Sequence, residues 1–163
     1  GRRHVLRVVR EILFFQPRRR GTDIVQALEF ANRMSGRRSV VFLISDFQTP
    51  GISTEARSPL RRTLSQCARH HDLVAVNIRD PREQSLPDVG RVVLQDAETG
   101  EVMEVDTGSR RTRELFASLA RRSGETLLRM LNAEAIDSLM LTTDQPYLGS
   151  LISFFRRREA RRS

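Results

Sequence analysis

Apolar residues at Leu6, Val9, Ile12 and Leu13 share one side of a 3.6-residue period, which predicts a helix over residues 4–15. The polar run "QPRRRG" at 16–21 breaks that pattern. A second helix is predicted over 22–34, with Ile24, Leu28, Ala31 and either Phe30 or Met34 facing a core; Asp23 and Gln26 have capping-box spacing. Val40–Ile44 is different in kind. Its five apolar residues show no alternation, which predicts an interior strand, and it runs straight into Ser45-Asp46.

After a Gly/Pro/Ser loop over 48–59, Ser58-Pro59 opens a helix that reaches about His71. "DLVAVNIRD" at 72–80 is the next strand, closed by the turn opener Asp80-Pro81. Helix, helix, strand, helix, strand is the rhythm of a wound α/β sheet with parallel strands. Then the rhythm changes to a hairpin: Val92–Gln95, a turn through Glu98, Thr99 and Gly100, and Glu101–Val105. A long helix runs from Ser109 to about Asn132, with Gly124 as a weak point in its middle. "IDSLMLTTD" at 136–144 reads as a third interior strand. Asp144-Gln145-Pro146 is placed to cap a last helix, Tyr147 to about Arg158, whose Leu148, Leu151, Ile152 and Phe155 share a face.

Composition narrows the function classes. A chain of 163 residues fits one domain with a sizeable core. No stretch approaches the roughly 18 consecutive apolar residues of a membrane span, and no signal-peptide pattern opens the chain, so the expected location is cytoplasmic. The formal net charge of +8 invites a nucleic-acid reading, but all 28 basic residues are Arg and none is Lys. That uniformity points to coding bias, and no aromatic residues interleave the Arg pairs; nucleic acid is disfavoured as a partner. Residues 156–163 hold five Arg and one Glu and read as a basic tail behind a domain over 1–155. The single Cys67 excludes an intrachain disulfide and falls on a helical stripe with Leu60, Leu64 and Ala68, where a small buried residue belongs. His70 and His71 close a helix and read as surface residues.

Candidate chemistry gathers at strand ends. Ser45-Asp46, Arg79-Asp80 and Thr143-Asp144 end three parallel strands, and open α/β sheets bind ligands at that carboxyl edge. Three converging carboxylates would suit Mg²⁺ and a phosphohydrolase or nuclease. Capping explains Asp144 and turn opening explains Asp80. Asp46 has less excuse, because the next helix starts a dozen residues later. No G-x-S-x-G, phosphate-loop or H-E-x-x-H pattern accompanies them.

"PRRRGTDIVQAL", "VVFLISDF", "HHDLVAVNIRDPREQSLPDVGRVVLQDAETGEV", "VDTGSRR" and "LTTDQPYLGSLISFFRRR" together resemble the bacterial domain-of-unknown-function family 58. The resemblance covers nearly the whole chain. It implies a Rossmann-like von Willebrand factor type A fold, here lacking its first strands and carrying an inserted β-hairpin at about 90–107. It also implies association with a MoxR-type AAA+ ATPase. Such domains hold Mg²⁺ or Mn²⁺ at a metal-ion-dependent adhesion site built from Asp-x-Ser-x-Ser, a loop Thr and a strand-end Asp. Thr22 matches the second piece and Asp46 the third, while no Asp-x-Ser-x-Ser occurs. The helix cap is the plain alternative for Thr22. One hydroxyl and one carboxylate are too few for tight Mg²⁺ binding, so metal is expected to be weak or absent in this chain alone.

The resulting expectation is a protein-binding module, not an enzyme, partnered by a MoxR-type ATPase and its client in protein maturation or complex assembly. The Mg²⁺-dependent hydrolase on Asp46, Asp80 and Asp144 is one alternative. An electrostatic module binding polyanions through Arg18–Arg20 and Arg156–Arg162 is another. Without the family's first strand, Val40–Ile44 would become an apolar sheet edge open to a homodimer contact.

Overall fold

The computed structural model describes residues 1–16, 21–34, 36–49, 52, 55, 58–96 and 100–162, the side chain of Arg162 excepted. Its elements are α1 (Arg2–Phe14), α2 (Ile24–Met34), β1 (Val40–Ser45), α3 (Pro59–His70), β2 (Asp72–Arg79), α4 (Pro81–Gln84), β3 (Arg91–Gln95), β4 (Val102–Asp106), α5 (Arg110–Ala133), β5 (Asp137–Thr142) and α6 (Tyr147–Arg162). The architecture is mixed α/β on a parallel sheet of order β1-β2-β5, with β3 and β4 forming a separate antiparallel hairpin.

Alternation of side chains along each strand divides the sheet into two faces. On the inner face, Leu73 and Ala75 of β2 join Leu28 of α2, Leu64 of α3 and Leu131 of α5 in the main core. Cys67 is buried in the same cluster, and burial pushes its thiol pKa up, as its apolar stripe predicts. On the outer face, Val74, Val76 and Leu139 meet Phe154 and Leu151 of α6 in a smaller cluster. Phe42 touches α6 edge-to-face through Phe155, with ring centroids 6.1 Å apart.

Several expectations change. Of the three strands read as interior, only β2 is central; β5 is one edge, and β1 is the other, as expected for Val40–Ile44 without the family's first strand. Val40, Phe42 and Ile44 are 54%, 45% and 61% exposed, because α6 covers β2 and β5 and only the rim of β1. In α2, Ile24 and Leu28 are buried, but Phe30 and Met34 point to solvent. α1 is the helix its period predicts, yet none of its residues is buried.

His71 is not a surface residue: it is 2% exposed, and its Nδ1 accepts a 3.4 Å hydrogen bond from Ser39 N–H. Beyond Arg156 the chain continues α6. Arg158 there is ion-paired to Asp72 and, at 2.7 Å, to Asp137, which also meets Arg161 at 3.2 Å. The predicted hairpin is present, with Val92 across from Val105. Glu98 and Thr99 of its turn, most of the loop over 48–59, and Arg18–Arg20 lie outside the described residues.

Candidate functional site

Asp46 follows β1 directly, at the carboxyl edge of the parallel sheet. The residue after it sets its position. Phe47 is 3% exposed and belongs to the main core with Ile24 and Leu28, so the chain must turn sharply to bury that ring while leaving β1. It does so at φ 56°, a left-handed backbone unfavourable for a bulky residue by about 1–3 kcal/mol. Local hydrogen bonds hold the corner. Phe47 N–H donates to Ser45 Oγ at 3.0 Å, Gln48 N–H donates to Asp46 Oδ1 at 3.0 Å, and Ser45 Oγ–H reaches Asp46 Oδ1 at 3.4 Å. All three engage Oδ1 or Ser45, which leaves Asp46 Oδ2 directed to no partner among the described residues. The carboxylate is exposed.

Thr22 lies exposed ahead of α2. The capping role falls to its neighbour: Asp23 Oδ1 accepts from Gln26 N–H at 2.8 Å. Ile24, two residues on from Thr22, shares the core cluster with Phe47, one residue on from Asp46, so one packed core anchors both segments.

The other two strand-end aspartates differ from Asp46 and from each other. Asp80 caps the short α4 in a complete capping box with Glu83, its Oδ1 accepting from Arg82 N–H at 2.8 Å and its Oδ2 from Thr143 Oγ1–H at 3.3 Å. Sequence reading saw only a turn there. Asp144 is exposed and does not cap α6, which begins at Tyr147 and leaves Pro146 in the position before it. Among the described residues, no three His, Cys, Asp or Glu side chains gather as a metal-holding group. The oxygens at hand near Asp46 are hard donors of the right type for Mg²⁺, but one free carboxylate oxygen and hydroxyls make an incomplete set.

Asp46 also stands on the rim of a cleft of about 1200 Å³. The end of β2 forms its floor through Asn77 and Arg79, α5 one wall through Phe116, Leu119, Gly124 and Leu127, and the hairpin the opposite wall through Val92, Leu94 and Met103. The hairpin's base is fastened to the start of α5. Thr107 is fully buried and its Oγ1–H donates to Gly90 O at 2.6 Å. Arg113 Nη1 donates to Thr107 O at 2.6 Å and pairs with Asp88 at 3.1 Å. Of the cleft residues, Asp46 is a candidate legible in the sequence; Asn77 and Arg79 are one strand repeat apart on β2, a signal visible only once the face of β2 toward α5 is known.

The chain is 32% identical over 136 residues to an uncharacterized protein of Mycobacterium avium, covering 83% of this chain and 76% of that protein. An uncharacterized protein of Mycobacterium bovis is 33% identical over 164 residues, covering 98% of this chain and 49% of its own length. A Mycobacterium tuberculosis protein matches equally, so the chain spans about half the length of these two relatives. The crystal structure of the conserved hypothetical protein BatB from Bacteroides thetaiotaomicron superimposes with a TM-score of 0.42 and 14% identity, covering 93% of this chain and 63% of that one. The family described as protein of unknown function DUF58 matches residues 1–126, and this chain belongs to it.

Proposed function

We propose that this chain is a protein-binding module of von Willebrand factor type A character, whose contact residue at the carboxyl edge of the sheet is Asp46. The observation that carries the reading is the Asp46 corner: a strained, buried Phe47 holds an exposed carboxylate with one oxygen uncommitted. Strain of this kind persists where the surrounding structure over-determines it, as at binding and switch sites. The family resemblance supplies the partner class, a MoxR-type AAA+ ATPase with its client, in protein maturation or complex assembly. In the intact protein, Asp46 and Thr22 would be two ligands of a divalent cation whose remaining ligands come from elsewhere.

One observation favours binding over a hydrolase built on Asp46, Asp80 and Asp144. Asp80 already spends both carboxylate oxygens, on Arg82 N–H and Thr143, as a helix cap. The test is calorimetric titration of the full-length protein with a MoxR-type ATPase from the same organism, in Mg²⁺ and in chelator. Asp46→Ala should weaken binding at least tenfold in Mg²⁺, and chelator should do the same to the unaltered protein. Equal affinity for both proteins under both conditions sinks the reading.

A further inference from the structure

Gly124 sits inside α5, where glycine is a poor helix former. Its surroundings explain it. A methyl group built on its Cα would stand 2.4 Å from Arg79 Nη2, 3.1 Å from Cζ and 3.2 Å from Nη1. The end of the Arg79 guanidinium therefore lies against the bare helix backbone, where a Cβ at position 124 would displace it. Yet Arg79 forms no ion pair and donates no side-chain hydrogen bond among the described residues. A cation given room at the expense of helix propensity, and then left without an anion, is a receptor half.

A second observation is independent of the first. Asn77, two residues earlier on the same face of β2, is 4% exposed, and its Oδ1 has no hydrogen-bond partner. Buried acceptors are rarely left unmet unless a ligand or water meets them. Both groups floor the cleft between α5 and the hairpin, whose walls are apolar at Val92, Leu94, Met103, Phe116 and Leu119. A fitting ligand carries one carboxylate for Arg79, one N–H donor close by for Asn77, and an apolar body. The lining also carries Arg82 and four carboxylates, and Asp46, Glu83, Asp96 and Glu101 would repel a polyacidic ligand.

We propose that the Arg79–Asn77 cleft binds the C-terminal end of an apolar peptide, with the terminal carboxylate on Arg79, the last backbone N–H on Asn77 Oδ1, and the last side chains against the hairpin and α5. Capture of a C-terminal carboxylate is a recurring mode of peptide recognition. This site shares its cleft with Asp46 but binds through Arg79 and Asn77 and goes beyond the Asp46 contact: each is tested by its own variant.

The experiment is an NMR titration of the ¹⁵N-labelled protein with acetyl-Gly-Ser-Ala-Leu-Val-Leu as free acid, as its C-terminal amide, and with decanoate. The free acid should shift the Arg79 Nε–H and Asn77 side-chain resonances and bind at least tenfold tighter than the amide. Gly124→Ala should abolish the difference while melting at a higher temperature than the parent, a pairing that misfolding cannot produce. Arg79→Gln should remove binding, and Arg69→Gln, an exposed residue of α3 that does not line the cleft, should leave it unchanged. Decanoate binding as tightly as the peptide would overturn the peptide assignment in favour of a lipid carboxylate. Equal binding of acid and amide, no binding of either, or an unaffected Gly124→Ala would overturn the site.

Discussion

The two faces of the sheet are built from the same three strands and closed very differently. The inner face lies under α2, α3 and α5, and its residues join a core that reaches full burial at Leu64, Ala75 and Leu131. The outer face has α6 alone, which meets Val74, Val76 and Leu139 and leaves Val40 and Ile44 largely in solvent. Each layer is also fastened by an ion pair at its margin. Arg61 of α3 reaches Glu134, just past α5, at 2.7 Å, and Arg158 of α6 reaches Asp72 and Asp137 at the starts of β2 and β5. What differs is how much apolar burial stands behind the fastening. The inner helices would stay docked on apolar contact alone, whereas α6 depends on its few buried residues and on Arg158.

The largest expected effect follows from that dependence. The Arg158 side chain is 11% exposed, lies between two carboxylates, and stands 5.7 Å from the centroid of the Phe154 ring. Arg158→Ala removes the guanidinium that the two carboxylates share and leaves Asp137 its contact with Arg161, so the loss is at most the about 3–5 kcal/mol of a broken buried pair. Urea denaturation followed by circular dichroism measures it. A loss below about 1 kcal/mol, the range of exposed pairs, would mean that α6 is held by Phe154 and Leu151 and that the outer layer is less dependent than its area suggests.

The inner fastening gives a smaller, pH-dependent effect. Hydrogen bonds from Arg61 and then Ser65 hold the Glu134 carboxyl below its ordinary range, against an opposing push from burial. A depressed folded-state pKa contributes stability that is present above the unfolded value and is lost as pH falls through the folded one. The unaltered protein should therefore lose stability on acidification across the window from the ordinary glutamate pKa down to the depressed one. Glu134→Gln should flatten the pH dependence of the melting temperature in that window and lower stability modestly at neutral pH. An unchanged acid limb would show that the pair adds nothing to the inner layer.

The sheet's comparison also explains what the sequence could and could not disclose. Helix periods at α3 and α5, the hairpin, and the parallel order were legible because each is a local signal: a Ser58 cap, an apolar stripe, a change from period 3.6 to period 2. The edge position of β1 came only from the family resemblance, because a uniform apolar run says that both faces ask for cover and says nothing of whether both receive it. The candidate site divides in the same way. Asp46 announced itself as a carboxylate with no helix to cap, while the left-handed Phe47 that aims it gives no signal in its residue type. Gly124 was visible only as a defect in a helix; the guanidinium lying against it comes from a strand 45 positions earlier in the chain.

The smallest effect on stability is expected where β1 is open, and it separates burial from association. Ile44 is 61% exposed and Val40 54%, beside an edge whose outer backbone groups have no strand against them among the described residues. Ile44→Thr keeps β-branching and strand propensity, so monomer stability should change by no more than about 0.5 kcal/mol. If that surface seats a second copy of the chain, the same substitution places a hydroxyl in each half of a two-fold contact and should shift the association equilibrium toward monomer, read by sedimentation equilibrium over a concentration series. A large loss of stability with no change in association would instead mean that Ile44 is covered within the chain in solution. In that case the difference between the two faces would be smaller than their exposures imply.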